Sequence, residues 1–260
     1  MLNKLKLGVC ALALLSVVGC ASAPPPSDVE ATAEYKQTND PVEPANRAIF
    51  SFNQGLDKHV LKPIAEGYRN YVPYDIRMRV RDVLTNLSEP LVAVNDVLQG
   101  EFGRAGHSVF RFAINCGIGF FGIVDVAGHG GIEHHDEDFG QTLAVWGVPE
   151  GVYVMLPILG PSNPRDAVGM VVDFFIDPVS VWGPDIPDLA SYSKTGMGGV
   201  DKRERYIDAL NDIERSSLDF YASMRTLYRQ KRSDEIRNGK GNLPSPGFTF
   251  EKDEPGISSN

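Results

Sequence analysis

The chain has 260 residues, a formal net charge of −9 and a hydrophobic content of 42%, which is enough apolar material for one large domain or two small ones. An acidic chain is a poor candidate for nucleic-acid binding, because that binding depends on a basic surface. The same negative charge argues against purely electrostatic adhesion to anionic lipid.

The first twenty residues form a predicted export signal that ends at Cys20. A short basic segment precedes an apolar stretch, residues 7–18, which is shorter than the roughly 20 apolar residues needed to span a bilayer. The order Val17-Val18-Gly19-Cys20 resembles the bacterial lipobox, in which the cysteine is acylated and the peptide is cut just before it. We predict that residues 1–19 are removed and that Cys20 carries S-diacylglycerol and N-acyl chains. The alternative is an ordinary secretory signal in which Cys20 is incidental.

Cleavage changes the charge and the cysteine count of the mature chain. Removal of 19 from 260 residues takes two lysines away, so the mature chain carries a charge of about −11. Cys10 leaves with the signal and Cys20 is acylated, so Cys116 is the one remaining thiol and no intrachain disulfide is expected. By analogy with other envelope lipoproteins, Ala21 after the acylated cysteine indicates export to the outer membrane.

Residues 20–39 are rich in Pro, Ser, Ala and Thr, and this composition predicts a flexible lipidated tether. The folded body begins at Asp40. Pro41 and Glu43 follow it in the order typical of a helix start, because Asp caps, Pro suits the first turn and an acid suits the positive end of the dipole.

The segments after this start predict a mainly helical body, residues 40–238, and a disordered tail, residues 239–260. Pro and Gly separate the predicted helices, and Pro90 is placed near the start of one of them. After the first helix, the helices are predicted at residues 61–71, 74–86, 88–98, 104–116 and, as the longest, 201–238.

Three segments in the middle of the chain, residues 117–124, 145–159 and 168–181, are unusually apolar and are interrupted by Gly and Pro. In a soluble protein they would form core helices and turns. In a tethered protein they could equally lie in the membrane interface or line an apolar passage. Composition leaves both interpretations open.

The segment His129–Asp138 has the residue types of a zinc site, but it lacks the HExxH spacing. A solvated, helix-capping turn is the more common role for such a segment, so we predict no metal. The glycines at positions 117, 119 and 122 spell GxGxxG, yet a helix rather than a strand precedes them, which argues against a nucleotide site. No catalytic group emerges, and the chain is predicted to be neither an enzyme nor a cofactor-binding protein.

Several short motifs follow one another in order between residues 40 and 232. They are DPVEPANR at 40–47, NLSEP at 86–90, LQG at 98–100, EDFGQTL at 137–143, and Asp219, Tyr221, Arg225, Tyr228 and Arg232 in the final helix. In this order the motifs resemble those of the MlaA/VacJ family of outer-membrane lipoproteins.

The resemblance implies a mainly α, single ring-like helical domain with interfacial amphipathic helices and an amphipathic central channel. It implies a lipid-anchored protein on the periplasmic side of the outer membrane. Such a protein removes mislocalised phospholipids from the outer leaflet and passes them through its channel to a periplasmic carrier of the Mla system, which maintains lipid asymmetry. An outer-membrane porin is the further partner that the resemblance implies.

Gly140, Gly147 and Gly151 bracket a segment that could act as a hinge or gate, because glycine relaxes backbone limits. A tethered envelope scaffold without transport is the alternative function, and it predicts that the apolar segments are buried in a solid core. A membrane-bound hydrolase is a third hypothesis. Head-group preference, channel-lining residues and the role of His129–Asp138 stay open at this point.

Overall fold

The computed structural model describes residues 40–177 and 187–238. The predicted signal, Cys20 and the tether lie outside the described residues, as do the predicted tail and residues 178–181 of the third apolar segment.

The described chain is mainly α-helical, as predicted, and also contains a two-stranded hairpin that the sequence did not predict. The strands pair antiparallel with Met155 opposite Pro161. In chain order the elements are α1 (Glu43–Leu56), a π-helical turn (Asp57–Leu61), α2 (Lys62–Tyr71), α3 (Tyr74–Leu98), α4 (Phe102–Gly117), α5 (Val126–His129), α6 (Phe139–Val145), β1 (Val154–Leu156), β2 (Gly160–Ser162), α7 (Pro164–Ile176), α8 (Pro187–Arg205), α9 (Ile207–Ser216) and α10 (Phe220–Ile236).

The expected break before Pro90 is wrong, because α3 runs through this residue as one helix. A proline inside a helix removes one N–H group and crowds the carbonyl four residues earlier, at a cost of about 3 kcal/mol. The contact between α3 and α4 is the most extensive contact between any two described elements. Glu89, next to Pro90, is held by Arg111 of α4. Tertiary contacts therefore keep α3 continuous where the local sequence favours a break.

The single helix expected over residues 201–238 is also wrong, because α8, α9 and α10 divide this region. The break between α9 and α10 contains Asp219, whose side chain caps α10 by accepting a hydrogen bond from the Ala222 N–H at 3.2 Å. Asp219 also pairs with Arg47 of α1, with Nη2 and Oδ2 2.5 Å apart. The apolar stripe continues across both helices, so periodicity alone does not reveal the break.

Polar and apolar side chains are distributed in the opposite way to that of an ordinary soluble domain. Among the described residues, most buried side chains are polar or charged, and Glu89, Asn95, Asp96 and Arg111 are fully enclosed. The buried apolar cluster is small and centres on three side chains with their neighbours. These are Tyr153, Met155 and Tyr221.

Large apolar side chains lie on the outside instead. The three apolar segments contribute Tyr153 and Met155 to the small core, but most of their large apolar side chains are exposed. Their exposed side chains include Ile118, Phe120, Phe121, Val145, Trp146, Ile158, Leu159, Val168, Val171, Phe174 and Phe175.

The loop after α4 holds two of these side chains outward in an unusual backbone conformation. Phe120 and Phe121 have φ angles of 53° and 60°, which cost roughly 1–2 kcal/mol per residue for L-amino acids. The loop is fixed from behind, because the Gly122 N–H donates to the Asn115 carbonyl at 2.8 Å. The two phenylalanine rings are therefore presented by a fixed loop, with exposures of 72% and 82%.

None of the helices in the described part of the chain combines the length and the apolar character that crossing a membrane requires.

Helices α6 and α7 meet through two glycines, and this contact generates a stability prediction. A Cβ atom at Gly169 of α7 would lie 2.7 Å from the Gly140 Cα of α6. We expect Gly169→Ala to destabilise the protein by about 2 kcal/mol through overpacking. The matched control is Gly106→Ala in α4, where nothing lies within 4 Å of the added Cβ and where about 0.5–1 kcal/mol of stabilisation is expected. Urea unfolding of the detergent-solubilised variants measures both changes, and equal effects would refute the close packing.

Candidate functional site

Two charged clusters of the same composition lie between α3 and α4. In the first, Arg111 donates through Nε to Glu89 Oε1 at 2.5 Å, and His134 Nδ1 lies 3.1 Å from the same oxygen. Each cluster combines an acid of α3, an arginine of α4 and a histidine of the segment after α5. The acids are seven residues apart on α3 and the arginines seven apart on α4, so two layers of the antiparallel pair repeat one arrangement.

The second cluster is built on Asp96. His135 Nε2 lies 3.0 Å from Asp96 Oδ2, and Arg104 Nε lies 3.4 Å from Asp96 Oδ1. Arg104 also donates to Glu137 Oε1 at 2.6 Å, and Gln99 donates to Glu137 Oε2 at 2.7 Å. Burial raises the pKa of Glu137, although Gln99 and Arg104 oppose the shift.

The ligand atoms of Asp96, His135 and Glu137 lie within 4.8 Å of one another, which suits a metal ion in distance. The donor set does not suit a resident metal, because Arg104 already contributes a positive charge to both carboxylates. Gln99 occupies the second oxygen of Glu137. The arrangement therefore matches an internal ion-pair network rather than a metal centre.

The first cluster also anchors the loop between α4 and α5. Arg111 Nη2 donates to Asp125 Oδ2 at 2.9 Å, and the Asn115 side chain donates to Asp125 Oδ1 at 2.9 Å. Burial would raise the pKa of Asp125, but the Gly128 N–H and these two donors outweigh burial and lower it. Asp125 thereby caps α5 and fixes the start of the next segment.

Residues 130–138, here called the strap, cross from α5 to α6 over the α3–α4 pair. The last strap residue, Asp138, caps α6 by accepting from the Gln141 N–H at 2.9 Å. It also pairs with Arg232 of α10, with Nη1 and Oδ2 2.6 Å apart. The prediction of a helix-capping turn is confirmed for Asp138. The ion pairs of the other strap residues were not expected. The one sequence signal for them was the spacing of seven residues between the two acids of α3 and between the two arginines of α4.

The middle of the strap carries an ion pair that faces water on one side. His134 Nε2 lies 3.2 Å from Asp136 Oδ1, and the Asp136 side chain is 80% exposed. Burial lowers the pKa of His134, but its hydrogen bonds with Asp136 and Glu89 outweigh burial and raise it to about 9. The same hydrogen bond lowers the pKa of Asp136 to about 2. His134 is therefore charged at neutral pH.

Further ion pairs join elements that are distant in sequence. Arg225 of α10 pairs with Asp40 at 2.8 Å, and Arg203 of α8 pairs with Asp57 of the π-helical turn at 2.6 Å. Glu204 of α8 accepts from Arg69 of α2 at 3.0 Å. Together with the strap, these pairs fix α8 and α10 relative to α1, α2 and α3.

The three glycines predicted as hinges occupy two kinds of environment. Gly140 is buried in α6, where an added Cβ would lie 2.8 Å from Asp166 Oδ1. Gly147 and Gly151 lie between α6 and β1 with φ angles of 87° and 76°, a region that favours glycine. Gly140 thus permits a close approach and the other two permit turns. Their role as a hinge or gate stays a prediction.

The comparisons with known proteins agree on one family. A family model described as MlaA lipoprotein matches residues 38–235. The chain is 34% identical over 240 residues to the intermembrane phospholipid transport system lipoprotein MlaA of Escherichia coli (strain K12), covering 91% of this chain and 90% of that protein. It is 31% identical over 233 residues to the protein of the same name from Haemophilus influenzae, covering 88% and 89%.

A solved structure gives the same result at the level of the fold. That structure, from work on the structural basis for maintenance of bacterial outer membrane lipid asymmetry, has a TM-score of 0.68 to this chain and 32% sequence identity. The match covers 76% of this chain and 98% of that chain.

The buried pair of Arg111 and Glu89 is expected to be essential for stability. Arg111→Met leaves a buried carboxylate with only part of its compensation, so we expect a loss of about 3–5 kcal/mol in the free energy of unfolding. Arg79→Met is the matched control, because the pair of Arg79 with Asp82 is 42% exposed on the arginine side and such pairs contribute about 0–1 kcal/mol. Urea unfolding compares the two variants, and a loss below 1 kcal/mol for Arg111→Met would contradict the assignment.

The His134 pair predicts a dependence of stability on alkaline pH. The raised pKa means that the contribution of His134 is complete below its unfolded value of 6.5 and is lost as the pH rises through about 9. We expect a decrease of about 3 kcal/mol across this window, and His134→Gln should remove it. His107→Gln, which changes an exposed histidine of α4, should keep it. Equal pH profiles for both variants would exclude His134 as the source.

Proposed function

Since the chain belongs to the MlaA lipoprotein family, we propose that it is an outer-membrane lipoprotein of a phospholipid transport system. In this proposal it removes mislocalised phospholipids from the outer leaflet and passes them through a channel to a periplasmic carrier of the Mla system. The result is retrograde transport and an asymmetric outer membrane. The established name of the Escherichia coli relative supports phospholipid transport as the general activity.

The inverted distribution of polarity is the observation that carries this proposal. Moving a phospholipid head group through hydrocarbon costs several kcal/mol per unsatisfied polar group. A protein with a charged interior and an apolar exterior can sit among acyl chains and lower that cost inside itself. Exposed side chains such as Phe121 and Phe175 supply the exterior, and the clusters around Glu89 and Asp96 supply charge inside.

Location and attachment follow from the N-terminal segment. We place the protein on the periplasmic side of the outer membrane, held by acyl chains on Cys20 and by the tether, residues 20–39. One acyl chain binds a membrane only marginally, whereas two or three anchor a protein stably. The folded body, residues 40–238, then rests in the inner part of the membrane with its apolar surface among lipids, and residues 239–260 form a tail.

The channel and its control are the finer part of the proposal. The ion pairs that fix α8 and α10 relative to α1, α2 and the strap support a ring of helices around a central passage. Gly147 and Gly151, which lie in turns with positive φ, are the gate positions that the backbone favours most. An outer-membrane porin and the periplasmic carrier are the proposed partners, because the first shares the membrane plane and the second receives the lipid.

No covalent step is needed for this activity, so the proposal is of a transfer protein and not of an enzyme. The scaffold alternative required the apolar segments to be buried in a solid core. Their exposure, 55% for Val171 and 58% for Phe174, speaks against that alternative. The hydrolase alternative required a metal or a nucleophile with its base, and the carboxylates of Asp96 and Glu137 instead pair with Arg104.

Surface exposure of phospholipid tests the proposed function. Cells that lack the protein should show more phospholipid in the outer leaflet, and the intact chain should reverse the increase. Cys20→Ser should fail to reverse it and should appear in the soluble fraction, because the acyl anchor is missing.

Cys116→Ser is the matched control, since it removes the other cysteine of the mature chain without touching the anchor. It should restore the wild-type surface. Unchanged surface phospholipid in the deletion would refute transport as the main role. Tight membrane binding by Cys20→Ser would refute the anchor.

A further inference from the structure

A groove lies between α9 and α10 on the outside of the described chain. Its volume is about 430 Å³, which falls within the range of ligand-binding clefts. Its apolar lining consists of Ile213, Ala222 and Leu227. Ile213 and Leu227 are only half-buried by the described residues, and Leu218, in the turn between the two helices, is fully exposed. Apolar surface therefore remains accessible along this groove.

The rest of the lining consists of four hydroxyl groups that can only accept further hydrogen bonds. Each hydroxyl group already donates to the carbonyl oxygen four residues earlier in the chain. The donors are Ser216 at 2.7 Å, Ser217 at 2.5 Å, and Ser223 and Thr226 at 3.0 Å each. A hydroxyl group has one proton and two lone pairs. An occupant of the groove must therefore supply donors, as the backbone N–H groups of an extended peptide do and an acyl chain does not.

Charged side chains accompany the groove. Asp212, Glu214 and Arg215 neighbour the lining residues of α9 in sequence, and all three are exposed. Charged groups at such density belong to a surface that faces water. The occupant therefore approaches from the aqueous side, and it combines apolar side chains with N–H donors.

The chain changes direction where α10 ends. Asn238 follows the helix with a φ angle of 52°, and its N–H donates to the Glu235 carbonyl at 3.0 Å. A left-handed residue at this position ends a helix and directs the following chain away from the helix axis. The described chain stops here, and 22 further residues follow Asn238.

These 22 residues are long enough to return to the groove, and they contain a segment with the required chemistry. Leu227 lies eleven residues before Asn238, which is about 17 Å along the helix. Residues 239–247 span up to about 30 Å when extended. Phe248 and Phe250 come next, and in an extended chain their side chains lie on the same face.

We propose that residues 247–250 dock in this groove as an extended segment. Phe248 and Phe250 then pack against the apolar lining, and backbone N–H groups of the segment donate to the hydroxyl oxygens. Helices α9 and α10 contact each other only sparsely, so the docked segment ties the end of the chain to both of them. Because the segment belongs to the same chain, even a weak contact is well populated.

Disulfide cross-linking in the full-length, acylated protein tests this docking. Thr226→Cys places a thiol on the exposed rim of the groove, and Glu251→Cys places one directly after the docked segment. Both changes are made with Cys116→Ser, which removes the free thiol of the described chain. Under a mild oxidant, the disulfide between positions 226 and 251 should form within one molecule.

Lys231→Cys, combined with Glu251→Cys, is the matched control. Lys231 is exposed and lies nearer to the end of α10 than Thr226 does, but it is about 140° away from Thr226 around the helix. The disulfide to position 226 should form about tenfold faster than the disulfide to position 231.

A second comparison tests the assigned segment. Addition of Phe248→Ser/Phe250→Ser should slow cross-linking to position 226 until it matches position 231, because the apolar face is lost. Ile257→Ser changes an apolar residue farther along the chain and should leave the rate unchanged.

Each contrary result overturns a stated part of the proposal. Equal rates for positions 226 and 231 would overturn docking in the groove, because an undocked chain end reaches the nearer position at least as often. A fast cross-link that survives Phe248→Ser/Phe250→Ser would overturn the assignment of this segment. Disulfide-linked dimers on electrophoresis without reductant would overturn docking within one chain and assign the groove to a second copy.

Discussion

Glu89 and Arg111 pair inside the contact between α3 and α4, and their burial determines how these two helices pack. Both side chains are fully buried, and a buried charge without its partner costs several kcal/mol. The two helices can therefore pack only in the register that brings these residues together. The same register places Asp96 opposite Arg104 two helical turns away, and in it both histidines of the strap lie beside the acids of α3. Apolar side chains between two helices would tolerate small shifts of register, whereas a buried ion pair loses its partner when the register shifts.

Because charged side chains occupy the interior, many apolar side chains lie on the exterior. Apart from Tyr153 and Met155, most large apolar residues of the middle segments remain on the surface, and α7 with its exposed phenylalanines is the clearest example. Such a surface is costly in water and favourable among acyl chains. The acylation of Cys20 that we propose would complement this apolar surface, because an acyl anchor would keep the body where its exterior is stable. The positive φ angles of Phe120 and Phe121 fit this view, since a fixed loop presents two rings outward at a conformational cost.

Local sequence signals predicted the elements whose boundaries are set locally. The bounds of α2 and α4 lie within two residues of those predicted from prolines and glycines. The prediction that Asp40 caps the first helix is wrong, because α1 begins at Glu43 after Val42 without a side-chain cap. The Asp40 carboxylate is instead buried and pairs with Arg225 of α10. The continuity of α3 through Pro90 was not predictable, because packing against α4 outweighs the local cost. The break before Asp219 was missed because the apolar stripe keeps its period across it.

In the candidate site, too, local interactions could be predicted from the sequence and long-range interactions could not. Asp138 as a helix cap was predictable from its position before α6, because that interaction spans three residues. Two further pairs, His134 with Glu89 and His135 with Asp96, join residues about forty positions apart. The only sequence signal for them was the spacing of seven residues between the acids of α3 and between the arginines of α4. Composition could not decide whether the apolar segments face inward or outward. Hydrophobicity alone does not distinguish a side chain in a protein core from one that contacts lipid.

The arginines that hold the helices together are committed to carboxylates of the protein. Arg111, Arg104 and Arg232 pair with Glu89, Glu137 and Asp138, so they offer little charge to a bound anion. This matters for the proposed transport function, because a passage must bind its cargo strongly enough to admit it and weakly enough to release it. Walls that neutralise most of their own charge would attract a head group only weakly, whereas unpaired arginines would hold it too strongly for release.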